Sequence, residues 1–289
     1  MGTQGGGLTL LSRMIRRHPH VVSTAGNSDY WTSADEMQNV FGLFLPRAFS
    51  GMRFKAPPHD KFPPPRSWTY ATDEMLPQYR GTYEDYQPDL EAAFKKVLLY
   101  CSHRFGKKTS PVRFLDKSQS YSVRLGLLYR ILKETGPKIV WVSRDPYVSI
   151  YRAAIGKAGD IRRLLNKLDF QERLEICTNH YVNTVKSFKN DCEKHQIPHL
   201  RIKFEDLLEK PEETLRLVTD FVDLELQEDM LPRKEHRLPM GSRFLDRWFP
   251  IKPEINQPYI EKLDSNLIQH VNSKFNHLIE YLGYQRLDS

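Results

Sequence analysis

The chemistry begins with the first residues of the chain. Gly2-Thr3-Gln4-Gly5-Gly6-Gly7-Leu8-Thr9 runs straight into a short helical pattern that His18-Pro19 stops. Glycines let backbone N–H groups approach a phosphate closely, and a helix start offers unpaired N–H groups and a favourable dipole to an anion. Thr3 and Thr9 can donate hydroxyl hydrogen bonds to the same oxygens, beside the backbone of Gly5, Gly6, Gly7 and Leu8. The lysine of a Walker phosphate loop is missing, because Gly7-Leu8-Thr9 stands where Gly-Lys-Ser/Thr is required. That argues against ATP or GTP hydrolysis and against a nucleotide kinase. Arg144 is the second candidate. It follows the apolar run Lys138-Ile-Val-Trp-Val-Ser143 and precedes Asp145-Pro146. Ligands of parallel sheets gather at the carboxyl ends of strands, so Arg144 is expected beside the Gly-rich loop.

These residues need a scaffold, and the hydrophobic pattern supplies one. Helices are predicted over 8–17, 89–105, 121–134, 146–156, 169–194, 211–222 and about 263–282, with strands over 112–115, 138–142 and 199–204. Strands alternating with helical segments indicate a parallel sheet covered on both faces. The predicted fold is therefore α/β: three α/β/α layers around a central parallel sheet, in a single domain over residues 1–289. Residues 20–90 are dense in Pro, Asp, Tyr and Trp and read as loops with short helices that shape a substrate cleft.

Composition narrows the partners. The net charge is +7 and the sequence pI about 9.2, yet Lys and Arg are interspersed with Asp and Glu and form no basic tail. A compact polyanionic ligand fits that pattern better than nucleic acid. Cys101, Cys177 and Cys192 are widely spaced and show neither metal-type nor disulfide-framework spacing. No run approaches the roughly 20 apolar residues of a membrane span, and Leu8–Leu11 is too short for a signal peptide. A cytoplasmic protein without a metal is expected.

Three blocks, in order, resemble the sulfotransferase family. Gly2–Leu11 resembles its 5′-phosphosulfate loop, G-T-G-R-S-G-T-T-L-L, and Arg17-His18-Pro19-His20-Val21 resembles the continuation. Lys138–Pro146 resembles the 3′-phosphate motif V-R-D-P-R-x-V-x-x-S, with Arg144 at its arginine. Arg152 stands where the motif has serine, a fork that also suits phosphate; Ser149 lies slightly earlier. Leu200–Leu207, followed by Glu209–Arg216 and Phe221, resembles the R-Y-E-D-L-x-x-x-P-E-x-T-L signature, whose role is structural, so Glu205 and Asp206 are not expected to be catalytic.

The resemblance implies a P-loop NTPase-like fold that binds 3′-phosphoadenosine 5′-phosphosulfate. It implies transfer of the sulfuryl group to a hydroxyl or amine of a small-molecule or glycan acceptor. It further implies that Lys117, in Phe114-Leu-Asp-Lys-Ser-Gln119, neutralises charge on the transferring group, with Ser118 as a neighbouring donor. For the acceptor base it points to the segment after the first helix, where Glu36 is preferred over Asp29, Asp35, His18 and His20. It also implies a late basic loop, Gly241–Trp248, that closes over the nucleotide through Arg243 or Arg247, with Phe244 or Trp248 stacking on the base. The sequence departs from the family in two places. Gly5 replaces the loop's basic residue, and the strand expected before the loop has no counterpart ahead of Met1. A relative that binds nucleotide or a partner without turnover is the alternative.

Overall fold

The computed structural model describes residues 1–3, 5–23, 69–105, 112–157, 166–233 and 252–288. The Gly-rich loop leads into α1 (Leu8–Arg16), and a turn at His18 passes the chain to β1 (Val21–Ser23). Then come α2 (Pro88–Phe105), β2 (Arg113–Leu115), α3 (Leu125–Leu132), β3 (Ile139–Ser143) and α4 (Pro146–Ala154). The long α5 (Phe170–His195), β4 (His199–Lys203), α6 (Phe204–Glu209), α7 (Pro211–Phe221) and α8 (Ser265–Phe275) follow.

Local chemistry sets the helix starts. Asp169 caps α5 by accepting from Glu172 N at 2.8 Å, while Glu172 accepts from Asp169 N at 2.9 Å. Asp145 caps α4 through Val148 N at 2.9 Å, and Pro146 takes the first helical position, where its missing N–H costs nothing.

The strands form two parallel pairs. Val21 lies opposite Arg113 in one, and Ile139 opposite His199 in the other. Alternation along β3 separates two cores. Trp141 packs with α2, α3, α5 and α8, its ring 4.1 Å from that of Phe188. Val142 joins Leu8, Leu11, Ile202, Leu207 and Leu215 on the opposite face. This is the three-layer α/β/α arrangement expected from the sequence.

Among the described residues β2 and β3 do not pair. A cavity of about 350 Å³ lies between them, lined by Leu11, Phe94, Phe114, Leu128 and Val140 among others. Met1 lines it too, and Val142 N donates to Met1 O at 2.9 Å while Gly2 bridges Val142 in parallel. Met1 and Gly2 thus run alongside β3 as the chain enters the loop. Gly2 is required there, since a Cβ would lie 2.3 Å from Val142 O.

Four other predicted elements need correction. Val21–Ser23 is a strand inside a region predicted as loops; at three residues it shows no periodicity and exists through its pairing with β2. The helix predicted over 121–134 is a 3₁₀ turn (Ser120–Val123), then α3, then another 3₁₀ turn (Lys133–Thr135). It breaks at Arg124 (φ −130°), whose guanidinium donates to Tyr79 O. The helix predicted over 263–282 breaks at Asn276 (φ 46°), leaving α8 and a short turn, Leu278–Tyr281. Phe204 leaves the predicted strand to open α6.

Candidate anion-binding site

The Gly-rich loop folds back on itself where Gly6 N donates to Thr3 O at 3.1 Å. Gly7 (φ 88°) then turns the chain into α1, and a Cβ there would lie 2.1 Å from the Phe204 ring. Only glycine satisfies both demands. No side chain caps α1 and its first turn holds no acidic residue, so the N–H groups at its start remain available to an anion. Thr3 is fully buried, its hydroxyl beside the Tyr181 phenol. Thr9 sits half-buried in the first turn of α1, while Leu8 puts its side chain into the apolar core and only its backbone toward the loop.

Arg144 meets this loop from the end of β3. It is 2% exposed, and its Nη1 donates to Gly5 O at 3.3 Å. Nε and Nη2 both donate to Asn256 Oδ1, at 2.8 and 2.5 Å, while the guanidinium lies over the Phe204 ring at 5.0 Å. Tyr181 OH holds the Arg144 carbonyl at 2.9 Å. Three of the five N–H donors are therefore engaged, and two remain. Burial pulls the guanidinium down to about 10, the neighbouring Arg152 adding to the effect, so Arg144 stays charged at neutral pH.

Arg152 projects from the last turn of α4 and lies 5.1 Å from the centre of the Tyr259 ring. Burial pushes the Tyr259 phenol up, but the Arg152 hydrogen bond and charge outweigh it and the net direction is down. Among the described residues neither Arg144 nor Arg152 is ion-paired with a carboxylate. Two neighbouring cations therefore share one place with no carboxylate paired directly to either, Glu205 standing behind Asn256, and an anion with several oxygens fits it.

The candidates divide plainly. The structure brings Thr3, Gly5, Gly6, Gly7, Leu8 and Thr9 together with Arg144, and Arg152 stands beside Arg144. Lys117 follows the end of β2, is 4% exposed, and lines the cavity shared with Met1, Leu8 and Ser12. Its neighbour Ser118 does not point a free donor: Oγ donates to Asp116 Oδ1 at 2.8 Å and N to Oδ2 at 3.1 Å. His18 Nδ1 accepts from His20 N at 3.1 Å, closing the turn after α1. Asp29, Asp35, Glu36, Arg243, Phe244, Arg247 and Trp248 lie outside the described residues.

Sequence reasoning missed Asn256, Tyr259 and Tyr181. Asn256 is 112 positions from Arg144, and nothing local in Glu254-Ile-Asn-Gln257 signals the contact. Glu205, expected to be structural, braces the site. Its Oε1 accepts from Asn256 Nδ2 at 2.6 Å and Asp145 N at 3.0 Å, and its Oε2 from Tyr284 OH at 2.7 Å.

Known proteins share this framework. A sulfotransferase domain from the curacin biosynthetic pathway superposes over 99% of this chain and 97% of its own, with a TM-score of 0.54 at 15% identity. Sulfotransferase STF9 from Mycobacterium avium covers 100% of this chain and 77% of its own, at 0.54 and 11% identity. No curated protein sequence matches the chain. Such distant structures establish the fold alone. Membership rests on the family model described as the sulfotransferase family, which matches residues 1–228 and so includes the Gly-rich loop, Arg144 and Glu205; this chain belongs to the sulfotransferase family.

Proposed function

We propose that the protein binds 3′-phosphoadenosine 5′-phosphosulfate and transfers its sulfuryl group to a hydroxyl or amine of a small-molecule or glycan acceptor. One observation carries the reading: Arg144 and Arg152, with no carboxylate paired to either, stand beside an uncapped helix start. In this reading Thr3, Thr9 and the backbone of Gly5, Gly6, Gly7 and Leu8 hold the 5′ side. Arg144 and Arg152 hold the 3′-phosphate. The bound donor supplies the sulfuryl group and a stable bisphosphate leaving group.

The protein's own contribution is position and charge. Sulfuryl transfer, like phosphoryl transfer, gains most from orienting the reactants and stabilising charge in a water-poor site. Lys117, buried at the end of β2, is assigned to charge developing on the bridging oxygen. Glu36 is assigned to take the acceptor's proton, with Arg243 and Arg247 closing over the nucleotide. No metal is required.

Binding without turnover is the competing reading, and Gly5 speaks for it, since it brings no charge to the loop. Calorimetric titration with adenosine 3′,5′-bisphosphate decides the first question. Micromolar binding that weakens about 100-fold in Arg144→Ala supports the site. No binding by the folded wild type overturns it. Sulfated-acceptor formation from the intact donor, lost in Lys117→Ala with bisphosphate binding kept, then separates catalysis from binding alone.

A further inference from the structure

Both arginines of the anion site are held by one short stretch of chain. Pro253–Asn256 is a 3₁₀ turn and Gln257–Ile260 a single helical turn, so Asn256 and Tyr259 fall three residues apart. Asn256 faces Arg144 and Tyr259 faces Arg152. We propose that Asn256 and Tyr259 are the positioning residues of this site, aiming the two guanidinium groups together and thereby setting its preference for a ligand with a phosphate at this end. The inference rests on the nucleotide reading above and deepens it.

The Asn256 amide has only one orientation that serves. Arginine carries donors alone, so the Oδ1 edge must face Arg144 and the Nδ2 edge must face elsewhere. Glu205 takes that second edge at 2.6 Å and is fixed in turn by Tyr284 OH and Asp145 N. Glu205 therefore locks the amide, and the amide locks the guanidinium through two hydrogen bonds to one oxygen. Asn256 is 6% exposed, so solvent does not compete for the contact. An aspartate at this position would also reach Arg144. It would, however, neutralise the cation and set a second carboxylate against Glu205. An amide supplies an acceptor without spending the charge.

Tyr259 acts on Arg152 by a different route. The ring face attracts the guanidinium, whose charge in turn favours the ionised phenol. Arg152 sits in the last turn of α4, where a long side chain has many rotamers. The aromatic face reduces that freedom before a ligand arrives, which lowers the ordering cost of binding.

The test compares two ligands, adenosine 3′,5′-bisphosphate and adenosine 5′-phosphate, on the full chain. Wild type is expected to bind the bisphosphate more tightly by about 100-fold. Asn256→Ala and Tyr259→Leu are each expected to lower that preference about tenfold while leaving the monophosphate unchanged. Asn256→Asp, nearly identical in shape, is expected to lose at least as much preference as Asn256→Ala, and Tyr259→Phe to lose less than Tyr259→Leu. Thermal melts confirm that each variant is folded; equal weakening of both ligands means a merely structural role and overturns the inference. So does an Asn256→Asp variant with wild-type preference. A wild type that binds both ligands equally overturns the nucleotide reading itself, a distinct result seen before any variant is made.

Discussion

Two arginine sites in this molecule are built in opposite ways. Arg80 donates to Asp191 Oδ2 at 2.8 Å, and Asp191 also accepts from Gly126 N at 2.9 Å, so the buried carboxylate meets its counter-charge at the edge of the core. That cluster ties the 69–86 segment to α3 and α5, and Arg80 further donates to Val123 O at 2.7 Å. Arg144 is buried far more deeply, 2% exposed against 23% for the Arg80 side chain, yet its partners are an amide oxygen, a backbone carbonyl and an aromatic face. A paired cation is a fastener. A cation held by neutral acceptors keeps its charge for an incoming anion. His180 marks the limit of the series. Both of its ring nitrogens lack partners, and burial depresses it to about 3, so it stays neutral.

The sharpest way to break this comparison is Asp191→Ala. It strands Gly126 N in the core and takes the counter-charge from the partly exposed Arg80, and is expected to cost about 3 kcal/mol. The melting temperature should fall on the order of 10 °C. A loss under about 1 kcal/mol would mean that the pair is not a fastener. Gly7→Ala comes next. It adds a Cβ at φ 88° against the ring of Phe204, itself 3% exposed, and is expected to cost about 2–4 kcal/mol by thermal denaturation.

His180 tests the unpartnered case through pH. Its folded pKa lies below the unfolded value of 6.5, so the unfolded chain binds the extra proton. Stability is therefore full above about pH 6.5 and falls as pH drops toward 3, by about 1.4 kcal/mol per unit at most. His180→Leu should flatten that part of the acid limb in urea titrations between pH 7 and 4.5; an unchanged slope would refute the assignment. The smallest stability effect belongs to Arg144→Met, about 1–2 kcal/mol, because the acceptors that lose a donor, Asn256 Oδ1 and Gly5 O, are neutral and no paired carboxylate is left behind. A loss as large as that of Asp191→Ala would erase the distinction between the two sites.

What was legible in the sequence was whatever contiguous residues encode. β3 shows in the apolar run Ile139-Val-Trp-Val142, and its stop at Arg144-Asp-Pro places the arginine at a strand end. The caps at Asp145 and Asp169 are local, and so are the glycines that let the first loop approach an anion. Those features determined the α/β layers, the Gly-rich loop and the expectation that Arg144 would meet it. Tertiary structure alone decided the rest. Asn256 reaches Arg144 across 112 positions, Tyr259 stacks on Arg152, and Glu205 turns from a signature residue into the brace of an amide. β1 exists because Arg113–Leu115 pairs with it, and Met1–Gly2 joins the sheet because β3 offers an open edge. The reason is physical: a periodic pattern records which face is buried, whereas a hydrogen-bond partner far along the chain leaves no periodicity to read.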